Sequence, residues 1–456
     1  MLVKFTVSNF LSFNQEQTFS MISGKVRSKQ DHVIKEKKQN ILKFSAIFGA
    51  NASGKSNMVK AMDFASETIR HGLPINIMDN YCRTSEMNRD RPTKFEFEIK
   101  IYDRHYQYGF NLLLHDGKIL EEWLYDVTTP SARNLFTRTV TDKSIILSKQ
   151  FTGEARKTLK IYAEGMQSND SLLYLTEMNR NKSDLYTKYP TLTPLRDVYR
   201  WFRGQFVVNY PEDPMSPAYF VDDGNLNEIN TIISELKLGI TRCKLEDGSM
   251  EDIRKYISPY TFTQIREDIE KRASLAKKKG EKSSVLMIRG PKGFFILQIN
   301  PETMEITVQN LRFEHERKDM WFSIFEESDG TKRVLDLIEV LISAKTRTKK
   351  IYVIDEIDRC LHPILTYNFI KLYLSLIKDK EIQLIVTTHE AHLMDLQLLR
   401  RDEIRFMNKE DDGSSSLESL DSYNERFDKV IGKAYLSGRY GGIPMFDDYF
   451  PIKEQS

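Results

Sequence analysis

Apolar positions first recur with a period of two. Val3, Phe5 and Val7 alternate with Lys4, Thr6 and Ser8, and Gln17-Thr18-Phe19-Ser20-Met21 follows a polar turn, so the N-terminus reads as paired strands. Residues 35–40 are basic and polar and break that pattern. Residues 41–48 form an apolar strand running directly into Gly49, and from Gly54 onward Met58, Val59, Ala61 and Met62 fall at helical spacing. From Phe95 to about Ser148 the alternation returns, with a turn at His115-Asp116-Gly117-Lys118, and predicts an antiparallel β subdomain. Residues 153–282 read as mostly helical, with amphipathic stretches at 229–236 and 262–279 that are too short and irregular for an extended coiled coil. Strand signals resume at 285–288, 294–299 and 304–308, and residues 333–344 are again apolar at helical spacing. The expected organisation is therefore an α/β protein with a first lobe at 1–152, a mostly helical insertion at 153–282, a second lobe at 283–410 and a tail at 411–456. An acidic, serine-rich loop is expected at 410–416, and Gly438, Gly441, Gly442 and Pro444 suggest an irregular close.

Composition narrows the function classes. The 456 residues are 40% hydrophobic and 29% charged, enough apolar mass for more than one core. With 67 Lys+Arg against 65 Asp+Glu the net charge is only +2, so a polyanion could be bound only through a local basic patch. Cys82, Cys243 and Cys360 are too few and too scattered for a disulfide framework or a thiolate metal site; no zinc is expected, and a reducing compartment fits. The start lacks a basic segment followed by an apolar one, and no apolar run nears the roughly 18 residues that span a bilayer, so a cytoplasmic chain with no membrane segment is expected.

Candidate chemistry begins at Gly49-Ala50-Asn51-Ala52-Ser53-Gly54-Lys55-Ser56, which matches G-x-x-x-x-G-K-[ST] between an apolar strand and a helix, the setting of a phosphate-binding loop. Gly49 and Gly54 let the backbone curl so that successive N–H groups face a phosphate, and the helix N-terminus adds partial positive charge. Lys55 should bridge the β- and γ-phosphates of ATP, and the Ser56 hydroxyl should ligate Mg²⁺; Asn51, Ser53 and Asn57 complete the candidate nucleotide-binding set. A second apolar strand, Ile351-Tyr352-Val353-Ile354, ends in Asp355 and Glu356. Beside a phosphate loop, Asp355 would hold Mg²⁺ and Glu356 would orient and polarise the attacking water. Ser328-Asp329-Gly330-Thr331 precedes an apolar helix and by itself is an N-cap. His389 ends the apolar strand 382–388, and Asp358 follows the carboxylate pair by two residues.

This order of motifs resembles that of the ABC-type ATPases. The resemblance implies an ABC-type ATPase head, with Ser328, Gly330 and Thr331 as a signature loop that closes in trans on the γ-phosphate held by a second copy. It further implies Asp358 as the D-loop aspartate and His389 as the switch histidine. The opening Lys4-Phe5-Thr6-Val7-Ser8-Asn9-Phe10-Leu11-Ser12-Phe13 is similar to the first strand of the RecF/SMC-like branch, whose turn lies near the nucleotide. Asp355-Glu356-Ile357-Asp358 with Leu361-His362-Pro363 resembles the branch that holds the overcoming-lysogenization-defect nucleases and anti-phage ATPases. Within it, the Ser-Asp-Gly-Thr-Lys-Arg signature and the closing Gly-Arg-Tyr-Gly-Gly-Ile-Pro look like those of the ATPase subunits of the PARIS anti-phage systems. That likeness implies a sensor that holds a separate Toprim-type effector nuclease in check until a phage protein that mimics DNA is recognised. It also implies a homodimer closed by ATP and a larger homo-oligomer, with a hexamer expected.

The departures are informative. Only 67 residues follow His389, too few for the Toprim domain that the overcoming-lysogenization-defect proteins carry on the same chain, so a nuclease would be a separate polypeptide. The insertion lacks the long heptad arms of SMC proteins. Gln107, Gln150 and Gln167 are all open as the Q-loop residue. The alternative function is a RecF-like DNA-binding repair ATPase, for which Arg272, Lys277, Lys278, Lys279 and Lys282, or Lys345, Arg347, Lys349 and Lys350, would be the basic patch. Such runs are usually solvated faces. A transporter ATPase is a third class, against which the RecF-like first strand and the large insertion argue.

Overall fold

The computed structural model describes residues 1–167, 169–213, 223–280, 283–290, 293–346, 349–423 and 431–441. The N-terminal elements are β1 (Leu2–Ser8), β2 (Gln17–Ser20), β3 (Val33–Ile34), β4 (Ile41–Leu42), β5 (Phe44–Phe48) and α1 (Lys55–His71). Then come β6 (Thr93–Ile101), β7 (Arg104–Leu113), β8 (Lys118–Asp126), β9 (Arg133–Thr139), β10 (Ser144–Leu147), α2 (Gly153–Gly165), α3 (Tyr174–Asn179), α4 (Ser183–Lys188), α5 (Thr193–Gly204) and β11 (Phe206–Asn209). The middle holds α6 (Asp223–Leu236), β12 (Arg242–Gly248), α7 (Met250–Tyr256), α8 (Pro259–Lys279), β13 (Ser284–Gly290), β14 (Gly293–Ile299), β15 (Ile306–Glu314), β16 (Trp321–Ser323) and α9 (Asp329–Thr346). The chain continues with β17 (Ile351–Ile354), α10 (Pro363–Leu376), β18 (Gln383–Thr388), β19 (Ile404–Lys409), β20 (Ser415–Ser419) and α11 (Ile431–Leu436).

Two compact units result: Met1–Pro211 with Arg347–Ile357 and Ile377–Ser456, and Glu212–Thr346 with Asp358–Leu376. The divisions thus fall at 211, 346, 357 and 376, whereas the sequence pattern placed them at 152, 282 and 410. Helical residues 153–204 join the first unit because their apolar faces are covered by its sheets. Trp201 and Phe202 of α5 are fully buried, with Phe202 4.9 Å from Phe97 of β6 and Trp201 5.2 Å from Phe206 of β11, ring centre to ring centre.

The first unit carries two large sheets. One is antiparallel, in the order β10-β9-β8-β7-β6-β1-β2; its alternation buries Phe95, Phe97 and Ile99, with Phe5 opposite Phe97. The other, β11-β17-β18-β5-β19-β20, is parallel except for β20, and its β5, β17 and β18 are buried at every position. Helix α1 buries Met58, Val59, Ala61, Met62, Ala65 and Ile69, the stripe its periodicity announced. Three strands of this sheet were not among those expected, β19 being one. The four residues of β11 are inside the stretch read as helical, and the serine-rich β20, inside the expected tail, pairs with β19 from Arg405↔Ser419 to Lys409↔Ser415. In the second unit, β12-β15-β14-β13 form an antiparallel sheet, with β16 paired to β15, accompanied by α6 to α10. Part of the closing Gly-Arg-Tyr-Gly-Gly-Ile-Pro lies outside the described residues.

Candidate nucleotide site

The parallel register brings the separated motifs to one edge. Phe48 of β5 pairs with Thr388 of β18, and Ile354 of β17 pairs with Val386. Gly49, Asp355 and His389 therefore leave the C-terminal ends of three adjacent strands, β5, β17 and β18, where open α/β sheets bind ligands. The phosphate loop is stiffly built. Lys55, 4% exposed, donates from Nζ to the Gly49 and Ala50 carbonyls at 2.8 Å each and lies 3.4 Å from His389 Nδ1. A cation thus stands inside the loop, where its three hydrogens can turn from carbonyls to an incoming phosphate. Gly49 and Gly54 are both required: a Cβ on Gly49 would lie 2.6 Å from the Met407 carbonyl, and one on Gly54, whose φ is +110°, 2.3 Å from Ser415 Oγ. Among the described residues Ser53 Oγ has no hydrogen-bond partner although buried, a donor left for a ligand in the cradle. Asn57 Nδ2 donates to Ser12 Oγ at 2.8 Å, while Asn51 is exposed and Ser56 half-buried. The residues present therefore fit ATP with Mg²⁺, Ser56 and Asp355 being placed to hold the ion, which when bound would neutralise phosphate charge.

The carboxylate pair is held by a residue that motif reading passed over. Thr387 Oγ1 donates to Asp355 Oδ1 at 2.5 Å and accepts the Glu356 N–H at 2.8 Å, and the Thr387 carbonyl accepts the Ile357 N–H at 3.1 Å. Asp355 N–H also donates to the Asn209 carbonyl of β11 at 3.0 Å. Glu356 itself is half-buried and sits at φ 44°, a left-handed conformation that turns its side chain out of the strand's alternation. Such strain at the candidate general base is affordable because Thr387, fully buried, fixes the backbone on both sides. Ser12 and Ser415 were missed likewise: Ser415 Oγ donates to Ser53 O at 2.6 Å and lies in hydrogen-bond contact with Ser12 Oγ at 2.8 Å, tying β20 and the first turn to the loop.

The remaining predicted residues lie in the second unit. Ser328 is exposed and caps α9, accepting the Thr331 N–H at 3.1 Å and pairing with Thr331 Oγ1 at 2.8 Å. Gly330 passes under the loop that carries Asp358, since a Cβ there would lie 2.8 Å from the Cys360 carbonyl. The signature and D-loop residues are therefore neighbours in one unit, and Lys55, Asp355, Glu356 and His389 are together in the other. Of the possible Q-loop residues, Gln107 lies mid-strand in β7, Gln150 accepts from Arg133, and Gln167 follows α2.

The family described as "AAA domain, putative AbiEii toxin, Type IV TA system" matches residues 44–395, from the strand before the phosphate loop to just beyond His389. The chain belongs to this AAA-domain family. No curated protein matches it. Among solved structures it is similar to three SMC heads. One, bound to the C-terminal winged-helix domain of ScpA, is 16% identical over 94% of this chain and 99% of that one, with a TM-score of 0.45. The SMC head domain from Thermotoga maritima is 13% identical over 92% and 98%, with a TM-score of 0.36. An Smc head with an extended coiled coil, bound to the C-terminal domain of ScpA derived from Pyrococcus furiosus, is 16% identical over 96% and 98%, with a TM-score of 0.39. The fold of this AAA-domain protein is the α/β one of an ABC-type ATPase head, as strand order and the clustering of Lys55, Asp355 and His389 define it. It is an ATPase by family. Among the described residues no helix is long and apolar enough to cross a membrane.

Proposed function

We propose that this ATPase is the sensor subunit of a bacterial anti-phage defence system: it sequesters a separate Toprim-type effector nuclease and releases it when a phage anti-restriction protein that mimics DNA is recognised. The observation that carries the ATP-dependent part is the Thr387 clamp, which fixes Asp355 and Glu356 at the strand ends beside Lys55. The defence setting is supported by the family's toxin–antitoxin description and by the resemblance of the signature and closing motifs to those of PARIS ATPase subunits. ATP acts here as a conformational ligand, favouring the closed state through contacts made only in it. The unit that closes is a homodimer, in which Ser328, Gly330 and Thr331 of one copy and its Asp358 complete the site on the other; larger homo-oligomers, hexamers among them, are built from such pairs. Exposure of Ser328 at the start of an 18-residue helix supports that role. Direct DNA binding is the weaker reading, because three of the lysines that would form its basic patches are engaged: Lys277 with Glu302, Lys345 with Glu228 and Lys349 with Glu381.

The test is purification of the Glu356→Gln chain from its host with ATP and nuclease treatment. A stoichiometric nuclease-like partner is expected. Recovery of the ATPase alone, bound to DNA when nuclease is omitted, would replace this reading with repair. For the trans site, Ser328→Arg and Lys55→Ala chains should each be inactive and recover part of the ATPase on mixing, because the defects lie on opposite halves of a shared site. No recovery at any ratio would refute the shared site.

A further inference from the structure

Away from the phosphate loop, the first unit contains a cavity of about 450 Å³. That volume lies within the roughly 300–1,000 Å³ of small-molecule sites. It opens at the end of the antiparallel sheet. Its walls come from the β6–β7 turn, the start of β9, the segment after β10 and the first turns of α5. The neighbouring turn residue Tyr102 has Lys349, just before β17, 5.7 Å from its ring centre. The cavity therefore lies toward the N-terminal ends of the parallel strands, at the opposite edge from Gly49, Asp355 and His389.

Its chemistry is that of a built site. Tyr106, 4% exposed, forms part of the wall, and its hydroxyl has no hydrogen-bond partner among the described residues. Burial pushes its ionisation up to about 12, so the hydroxyl stays a proton donor at neutral pH. Facing the cavity without a protein partner, the hydroxyl is free to donate to a bound ligand. Two guanidinium groups border the same space. Arg104 is held by Asp126, Nη1 to Oδ2 at 3.0 Å, and Arg133 donates to Gln150 Oε1 at 3.2 Å. Together they make one side suited to a phosphate. The lining also carries the hydroxyls of Thr191 and Thr193 and the carboxylates of Asp103 and Asp197, the latter fixed by Arg196 at 2.8 Å. Carboxylates repel a polyphosphate and accept hydrogen bonds from sugar hydroxyls. Tyr102, 71% exposed, offers an aromatic face on which a base can stack.

We infer that this cavity is a second ligand site, separate from the ATPase centre, that takes a nucleoside monophosphate: phosphate toward Arg104 and Arg133, sugar toward the carboxylates, base against Tyr102. The site is wired to the catalytic carboxylates. Helix α5 leads through Gln205, whose carbonyl accepts the Ile351 N–H at 2.8 Å, into β11, whose Asn209 carbonyl accepts the Asp355 N–H at 3.0 Å. Both ends of β17, the strand that leads to Asp355, are thus anchored to the segment that follows α5, and a ligand that orders α5 biases the geometry of Asp355.

The experiment is isothermal titration of the full-length Lys55→Ala chain with AMP, GMP, CMP and UMP, with inorganic phosphate as a control. Lys55→Ala removes the phosphate-loop cation, so binding that persists reports another site. At least one monophosphate should bind with a stoichiometry near one per chain. Arg133→Ala in the same background should weaken it about 10- to 100-fold and Tyr106→Phe, which leaves the ring in place, about fivefold. In the chain with Lys55 intact, the same monophosphate should change the ATP hydrolysis rate, and Arg133→Ala should abolish that change. Absence of binding by all four overturns the site, as does binding indifferent to both Arg133→Ala and Tyr106→Phe. Inorganic phosphate binding as tightly as the best monophosphate overturns the nucleoside assignment. Since the Lys55→Ala chain is used, failure here leaves the ATPase reading standing, and failure of that reading leaves this titration interpretable.

Discussion

Replacing Thr387 by valine isolates the clamp on the candidate catalytic carboxylates. Valine keeps the shape of the fully buried side chain, so no cavity opens, but both hydroxyl bonds vanish: the 2.5 Å bond to Asp355 Oδ1 and the 2.8 Å bond from Glu356 N–H. The first is charge-assisted and worth about 1.5–3 kcal/mol, the second a neutral bond worth about 1 kcal/mol. Part of that loss is recovered because Asp355 stays close to the loop and can turn to water. A stability loss of about 1–3 kcal/mol is expected. The larger effect falls on hydrolysis. Glu356 occupies a left-handed φ of 44° that the Thr387 contact holds, and once released it relaxes toward the strand conformation. A displacement of about 1 Å at a catalytic group costs on the order of 10²-fold in rate. ATP affinity rests on Lys55 and the loop N–H groups and should change by less than about threefold. Steady-state phosphate release with a separate ATP-binding titration gives both quantities. A Thr387→Val turnover rate within twofold of the parent, or a loss carried entirely by ATP affinity, would refute the clamp.

Glu356→Gln should slow hydrolysis by roughly 10²- to 10⁴-fold while ATP stays bound, measured by single-turnover kinetics; normal turnover would remove Glu356 from the base role. Gly54→Ala should abolish ATP binding in a titration and cost about 1–3 kcal/mol in chemical denaturation, because the left-handed backbone and Ser415 Oγ at 2.3 Å both oppose a Cβ; Ser415→Gly in the same chain should restore part of each. Glu381 gives a pH signature. Burial pushes its carboxyl up, but hydrogen bonds and charges from Lys100 and Lys349, each at 2.8 Å, outweigh that and hold it at about 2. A depressed carboxyl stabilises the fold above its unfolded value of about 4.3, and the gain fades as the pH falls toward 2. Glu381→Gln should therefore cost about 1–2 kcal/mol at pH 7, discounted for a side chain one-third exposed, and the difference from the parent should shrink steadily below pH 4.5 in melting curves. A difference that does not change with pH would show that the Lys100–Glu381–Lys349 group is not the source.

The phosphate loop, α1, the antiparallel subdomain and the strand ending in Asp355 and Glu356 were legible because each is written in contiguous residues. A loop between two glycines, a period of two and a period of 3.6 are local constraints, and a folded chain expresses them in place. Less was readable in β11, whose Phe-Val-Val favours a strand but is only four residues long between helical stretches, and in the serine-rich β20, whose strand character comes from pairing with β19 and not from its own residues. The same holds at the site. Nothing in residues 382–389 marks Thr387 apart from Thr388, yet the parallel register sets its hydroxyl between Asp355 and the Glu356 amide, while Thr388 Oγ1 accepts the Glu390 N–H.

By itself, then, the sequence named the groups expected to meet a phosphate and a water: Lys55 and Ser56 at the start of α1, and Asp355, Glu356 and His389 just beyond strand ends. Only the tertiary structure decided what holds those groups still: Thr387 from 31 residues beyond Glu356, Ser415 from 362 residues beyond Ser53, and a strand at 206–209 that anchors Asp355. The physical reason is that spacing along a chain encodes local geometry, whereas a buried hydroxyl or carbonyl acquires its role from whichever donor the fold sets opposite it.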